Sequence, residues 1–147
     1  MIFRHDGAPP RVSEMPDDFS FPPMGQAHSV RARISESLPG VDWSDPAWGV
    51  FEGAGYSIEF NFQKDGAVDG FMLHVRGGGD PMEAIARLCA TNGWVALDTS
   101  TGEFMDLQRL SRDSWESFQA FRDRALATLG RRESWYRRLL KKLRRRA

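Results

Sequence analysis

The chain has 147 residues and a formal net charge of zero at pH 7, and 41% of its residues are hydrophobic, including ten Phe and five Trp. This length and aromatic content predict one folded domain and exclude a fully disordered chain. The single cysteine, Cys89, excludes an internal disulfide. Because no apolar run reaches the length of a signal peptide or a membrane span, we expect a cytoplasmic protein.

The neutral total conceals a separation of charge along the chain. Residues 131–147 carry nine Lys or Arg and one acid, whereas residues 1–130 carry eleven bases and nineteen acids. This separation predicts that an acidic body and a basic tail meet different surfaces, or each other.

The first elements are an arm and a helix. Residues 1–25 are rich in proline and predict an extended arm, which we expect Phe19 and Phe21 to anchor. Apolar side chains at steps of three and four predict an amphipathic helix over residues 26–38, which the following Pro-Gly pair ends.

Three strands are predicted next, after a stretch with turn composition at residues 42–46. The clearest is residues 56–62, where Tyr, Ile and Phe alternate without a break with polar side chains. Residues 48–52 and 71–76 flank it, and the glycine-containing stretches between the three are typical of turns that join antiparallel neighbours.

A glycine triplet at residues 77–79 separates the third strand from a second helix. Asp80 is placed to cap this helix, with Pro81 at its first position and Glu83 completing a pair that resembles a capping box. The structural loop and cap residues are therefore predicted to be Gly77, Gly78, Gly79, Asp80 and Glu83.

The element order α-βββ-α-ββ-α predicts an α+β fold, with residues 94–98 and 104–107 as the last two strands and residues 111–129 as the last helix. We expect a mixed, mostly antiparallel sheet with the helices packed on one face. If the third and fourth strands share this sheet, a right-handed crossover makes them parallel. The expected boundaries are an arm at 1–25, a single domain at 26–130 and a tail at 131–147.

The tail has the pattern of a basic amphipathic helix. At about 100° per residue, its aromatic and aliphatic side chains gather into one arc and its bases surround the rest. Such a helix suits an anionic membrane surface or the protein's own acidic body, and nucleic acid is the least favoured partner because it does not require an apolar arc. The residues expected to contact an anionic or membrane surface are Trp135, Arg137, Arg138, Leu139, Lys141, Lys142, Leu143, Arg144, Arg145 and Arg146.

The outward face of the predicted sheet gathers the side chains best suited to catalysis. Alternation puts Glu59, His74 and Arg76 on one side if their strands are neighbours, and Asp98 joins them from the fourth strand. A histidine beside carboxylates can transfer protons, and an arginine can bind an anion. We favour an ordinary solvated face, because no nucleophile is fixed beside the histidine.

Other chemistry has less support. The glycine triplet precedes a helix but matches no phosphate-binding pattern, and Pro81 supplies no amide, so tight-turn glycines are the favoured interpretation. Cys89 lies on the apolar side of its helix and predicts a buried thiol. We predict no metal and no cofactor, because the histidines are scattered and Cys89 has no second cysteine.

Three segments resemble those of a family of small uncharacterised bacterial proteins: DWSDP at residues 42–46, HVRGGGDP at residues 74–81 and STGEF at residues 100–104. The resemblance extends over residues 30–107. It implies a compact bacterial cytoplasmic domain, and it implies no activity and no catalytic residue.

Three hypotheses for function follow. The first is a non-enzymatic interaction protein whose acidic body binds a basic protein partner, as an immunity or inhibitor protein does, with the basic tail for docking. The second is peripheral binding to an anionic surface, such as the inner face of a membrane, through residues 131–147. The third is a small enzyme that uses His74 with Glu59 or Asp98, and Arg76 to bind an anion.

Overall fold

Two helices and nine short strands form the part of the chain that the computed structural model describes, residues 1–107. They are, in chain order, β1 (Ile2–Arg4), β2 (Gly25–Gln26), α1 (Ala27–Ser37), β3 (Asp42–Asp45), β4 (Trp48–Gly53), β5 (Tyr56–Asn61), β6 (Ala67–Val68), β7 (Met72–Gly77), α2 (Met82–Asn92), β8 (Trp94–Asp98) and β9 (Glu103–Phe104). The predicted α+β class is confirmed. The predicted third helix and the basic tail, with all ten of its proposed contact residues, lie outside the described residues.

Four strands form an antiparallel sheet in the order β3-β4-β5-β7. Strand β5, the one with unbroken alternation, is central and pairs with both neighbours over its whole length. Ile58 and Phe60 on one face are 0% exposed, whereas Ser57, Glu59 and Asn61 point to the other face. The two-residue period of polarity therefore decides which face of the sheet is buried.

The predicted third and fourth strands, which are β7 and β8 in the structure, do not pair with each other, because β1 lies between them. Strand β8 pairs with β1 and β9 in a three-stranded antiparallel sheet, ordered β1-β8-β9, and is not a neighbour of β7. Strand β1 also forms an antiparallel bridge between Ile2 and Phe71, the residue before β7, with N···O distances of 2.9 and 3.1 Å. Strands β7 and β8 thus run in the same direction on either side of β1, without pairing with each other.

The helices cover the buried face of the four-stranded sheet. Val30 and Ile34 of α1 and Leu88 of α2 are 0% exposed, and they share one hydrophobic cluster with Ile58 and Phe60. Burial of each such side chain contributes about 1.5–3 kcal/mol to stability. This packing leaves the opposite face of the sheet to carry the polar half of the alternating pattern.

The ends of α2 follow the predicted capping chemistry in part. The Asp80 carboxylate accepts the Met82 N–H at 2.9 Å, and Gly93 ends the helix in the left-handed conformation at φ 65°. The helix begins at Met82, so Pro81 lies in the cap and not at the first helical position. Glu83 is an exposed acid in the first turn, where negative charge interacts favourably with the helix dipole.

The proline-rich arm is held against the domain by aromatic contacts. Phe21 stacks on the buried Phe3 with ring centroids 4.2 Å apart, and it meets Phe19 and Phe104 edge-on at 5.0 and 6.0 Å. Phe21 therefore makes the contact with Phe104 outside the arm, whereas the ring contact of Phe19 is with Phe21 itself. The arm differs from the prediction at its start, because the first residues precede the prolines and are able to form β1.

Candidate interaction face

The side of the four-stranded sheet that faces away from the helices is the candidate site. Paired residues of antiparallel strands project to the same side, and the pairs Val50↔Glu59 and Glu59↔His74 therefore share one face. We name this surface the outer face. Its members are Asp42, Asp45, Trp48, Val50, Glu52, Ser57, Glu59, Asn61, Met72, His74 and Arg76.

Trp48 and His74 stack across strand β5, with Trp48 at the end of β4 that pairs with the last residue of β5. Their ring centroids are 5.9 Å apart and their planes differ by 15°. Trp48 pairs with Asn61 and His74 with Glu59, so the two rings bridge the strand that lies between them. At 36% exposure, Trp48 is the one exposed large hydrophobic side chain among residues 1–107. Exposed tryptophans of this kind are frequent anchors for protein partners.

Glu59 and Arg76 form an ion pair beside this stack. The Arg76 Nε donates to Glu59 Oε1 at 2.8 Å, and this hydrogen bond raises the pKa of Arg76. The Arg76 side chain is 65% exposed and that of Glu59 is 16% exposed, so the pair is open to solvent on the arginine side. Glu59 Oε2 is buried and has no hydrogen-bond partner within the described part of the chain.

Three exposed carboxylates lie on β3 and β4 of the outer face. Asp45 is the register partner of Trp48 and Asp42 that of Val50, while Glu52 follows along β4. Together with Glu59, they give the outer face four carboxylates against the single guanidinium of Arg76. The face is therefore acidic, with Trp48 towards one end of it.

Two of these carboxylates are oriented by local hydrogen bonds. Asp42 accepts the Ser44 hydroxyl at 2.6 Å and the Ser44 amide at 2.8 Å, and these bonds lower the pKa of Asp42. Asp45 accepts the Ala47 amide at 2.9 Å through one oxygen. Such bonds are the ones predicted for a turn, but the segment also pairs with β4 as the irregular edge strand β3.

Asp98 does not join the outer face, which corrects the prediction that placed it beside His74. It ends β8 in the three-stranded sheet, where its carboxylate accepts the Ser100 hydroxyl at 2.6 Å and the Ser100 amide at 2.8 Å. The physical reason is the insertion of β1 next to Phe71, which separates β8 from β7.

The glycine triplet forms a turn packed against a second turn. The amides of Gly78 and Gly79 both donate to the Gly55 carbonyl, at 3.1 and 2.8 Å. A Cβ atom on Gly77 would lie 2.5 Å from the Gly55 oxygen, and one on Gly79 would lie 2.3 Å from the Ala54 oxygen. These contacts support the interpretation as tight-turn glycines, because the two amides point at a carbonyl and not at a ligand.

Cys89 lies in the core on α2, away from the outer face. Its side chain is 3% exposed, and burial raises the pKa of its thiol to about 12. Within residues 1–107, no three side chains of metal-binding type come together. No helix in the same range has the length and apolar character to cross a membrane.

The comparisons with known proteins give no relative. No protein-family model, no curated protein and no solved structure matches the chain. The resemblance of three segments to small bacterial proteins therefore stays a prediction.

Sequence reasoning missed the five members of the outer face on β3 and β4: Asp42, Asp45, Trp48, Val50 and Glu52. The sequence did contain a signal for Trp48. In the predicted strand at residues 48–52, strand alternation puts Trp48 on the face opposite to that of Gly49 and Phe51. The aspartates were hidden because their segment has turn composition, and only the pairing with β4 shows to which face they belong.

Proposed function

We propose that this chain is a non-enzymatic interaction protein whose acidic body binds a basic protein partner through the outer face, in the manner of an immunity or inhibitor protein. The observation that carries the proposal is an exposed tryptophan, Trp48, on a sheet face that also carries exposed carboxylates. Interfaces commonly consist of an aromatic centre and a polar rim. The outer face combines an exposed aromatic side chain with exposed carboxylates.

The charge of the described residues supports a basic partner. Residues 1–107 contain sixteen acidic and seven basic residues, and every one of these acids except Glu59 and Asp98 is exposed. An excess of negative charge attracts a basic partner before contact and accelerates association, and added salt weakens this effect.

The same geometry gives less support to the enzyme hypothesis. Arg76 occupies one oxygen of Glu59, and the His74 ring packs against Trp48. A general base needs access to the proton that it removes and a reacting group nearby. The arrangement on the outer face fits a packed binding surface better, and proton transfer by His74 and Glu59 stays a prediction.

Binding to an anionic surface through residues 131–147 also stays a prediction, because those residues lie outside the described part of the chain. It is independent of the outer face. Co-sedimentation of the full chain with anionic vesicles tests it, and a loss of binding when Trp135 and Leu139 are replaced by serine is the expected result.

Affinity capture with matched baits tests the proposed function. The full-length protein is exposed to extract of its source cells at low ionic strength, alongside two variants that each remove three negative charges. One variant neutralises the outer face (Asp42→Asn, Asp45→Asn, Glu52→Gln), and the other neutralises acids outside it (Glu36→Gln, Asp65→Asn, Asp69→Asn).

We expect the unmodified protein and the second variant to retain a basic protein, and the outer-face variant to retain about tenfold less of it, because interfacial charge pairs are worth roughly 1.5 kcal/mol or more. Equal retention by all three baits would contradict the outer face as the interface. Failure of the unmodified protein to retain any basic protein would contradict the function itself.

A further inference from the structure

The side chains around Trp48 favour one of the two basic residues, arginine and lysine, that a partner can present. The Trp48 ring extends from β4 over β5 towards His74, on which it stacks, and Trp48 is 36% exposed. Asp45, the register partner of Trp48, lies on the neighbouring strand β3 and is exposed. Asp45 uses one oxygen for the Ala47 amide, which orients its carboxylate at the surface. An exposed aromatic ring and an oriented carboxylate therefore belong to paired residues of neighbouring strands.

This pair of groups matches a guanidinium more closely than an ammonium. A guanidinium is planar, stacks on an indole and donates two parallel hydrogen bonds to a carboxylate, whereas an ammonium is a compact, strongly hydrated charge. The outer face already contains one contact between a guanidinium and a carboxylate, because Arg76 Nε donates to Glu59 Oε1 at 2.8 Å.

We infer that the basic partner inserts an arginine side chain onto Trp48, with its guanidinium stacked on the indole and hydrogen-bonded to Asp45. This inference rests on the proposed function and specifies the partner's chemistry. Asp42 and Glu52 add negative charge nearby, which favours a segment with more than one base. The same four carboxylates disfavour a second copy of this face as the occupant, since like charges would then oppose each other.

A titration with two synthetic peptides tests the inference. Blocked octapeptides of alternating arginine and glycine, or lysine and glycine, carry equal charge and are added to the isotope-labelled full-length protein at low salt. Binding is followed by NMR through the Trp48 indole N–H and the Asp45 amide. Three variants are titrated in parallel: Trp48→Leu, Asp45→Asn and, as a control with the same charge change on helix α1, Glu36→Gln.

We expect the arginine peptide to bind about five to ten times more tightly than the lysine peptide. Trp48→Leu is expected to remove that preference, and Asp45→Asn to weaken arginine binding on the order of fivefold. Glu36→Gln is expected to weaken it less than twofold. Retained dispersion of the core resonances shows that each variant is folded.

Equal affinity for the two peptides, with equal losses in Asp45→Asn and Glu36→Gln, would overturn the inference and leave the proposed function standing, since it would indicate diffuse charge attraction. Concentration-dependent shifts of Trp48 without peptide would overturn it in favour of self-association. Absence of binding by both peptides would overturn the inference and count against the proposed function as well.

Discussion

Among the side chains of residues 1–107, Cys89 has the pKa that burial shifts most. It lies on the inner side of α2, and its surroundings raise the pKa of the thiol to about 12 from a reference value of 9.0. The charged thiolate is disfavoured because a thiolate in an apolar environment loses its hydration. The native protein therefore holds a neutral thiol over the whole range in which most proteins are stable.

Cys89 is expected to resist alkylation by iodoacetamide at pH 8 in the native protein and to react rapidly in denaturing urea. Its contribution to the free energy of unfolding is complete below about pH 9 and is lost as the pH rises towards 12, because only the unfolded chain then releases the proton. The effect is about 4 kcal/mol over that window. Urea titrations of wild type and Cys89→Ala measure it, and parallel pH profiles for the two proteins would contradict it.

A second prediction at the scale of single residues concerns the glycine turn. A Cβ on Gly79 would lie 2.3 Å from the Ala54 oxygen, whereas one on Gly78 meets nothing within 4 Å. We expect Gly79→Ala to lower the free energy of unfolding by about 2 kcal/mol through overpacking. The neighbouring Gly78→Ala is expected to change it by less than about 1 kcal/mol. Similar values for the two substitutions in thermal or urea unfolding would refute the packing argument.

At the scale of elements, the arm shows how aromatic contacts hold a segment that proline excludes from regular structure. Its middle forms a single 3₁₀ turn at Val12–Glu14, and its start forms β1. Phe21 connects the two ends of the arm, because it stacks on Phe3 of β1. The position of the arm therefore depends on ring packing and not on a continuous hydrogen-bond ladder.

Phe21→Ala is expected to lower the free energy of unfolding by about 2 kcal/mol, since it removes ring contacts with Phe3, Phe19 and Phe104. Ser20→Ala, at an exposed neighbouring position, is the control and is expected to stay within about 0.5 kcal/mol of wild type. Thermal unfolding monitored by circular dichroism distinguishes them. An unchanged stability of Phe21→Ala would show that the arm is held by other contacts.

At the scale of the whole described unit, β1 joins the two larger sheets. The Phe71 amide donates to the Ile2 carbonyl at 3.1 Å, and the Leu97 amide donates to the Met1 carbonyl at 2.8 Å. Ile2 itself is 2% exposed and belongs to the main hydrophobic cluster. The first residues of the chain thus hydrogen-bond to both sheets, and the core includes them.

Ile2→Ala is expected to destabilise the protein by about 3 kcal/mol. Its effect on native-state hydrogen exchange is expected to be uneven. The amides of Leu97 and Phe71, which donate to the carbonyls of Met1 and Ile2, should exchange faster than that of Phe60 in β5, because the three-stranded sheet opens first. Uniform acceleration of all three amides would show instead that the two sheets open as one unit.

The sequence by itself determined the elements whose signal is local. Alternation in β5 fixed its buried face, the three-and-four spacing defined α1, and Asp80 and Gly93 fixed the ends of α2. Each of these follows from contacts within a few residues, and so a single chain segment carries the whole signal. Glu59, His74 and Arg76 were assigned to one face for the same reason, since strand periodicity already orients their side chains.

The tertiary structure decided everything that depends on which distant segments meet. The sequence gives no indication that β1 separates β7 from β8, because three residues at the start of a proline-rich arm have too short a pattern to identify a partner strand. That insertion removes Asp98 from the outer face. The pairing of β3 with β4 brings Asp45 next to Trp48. Strand pairing is non-local, and it alone turned a group of polar strand residues into an acidic surface that includes an exposed tryptophan.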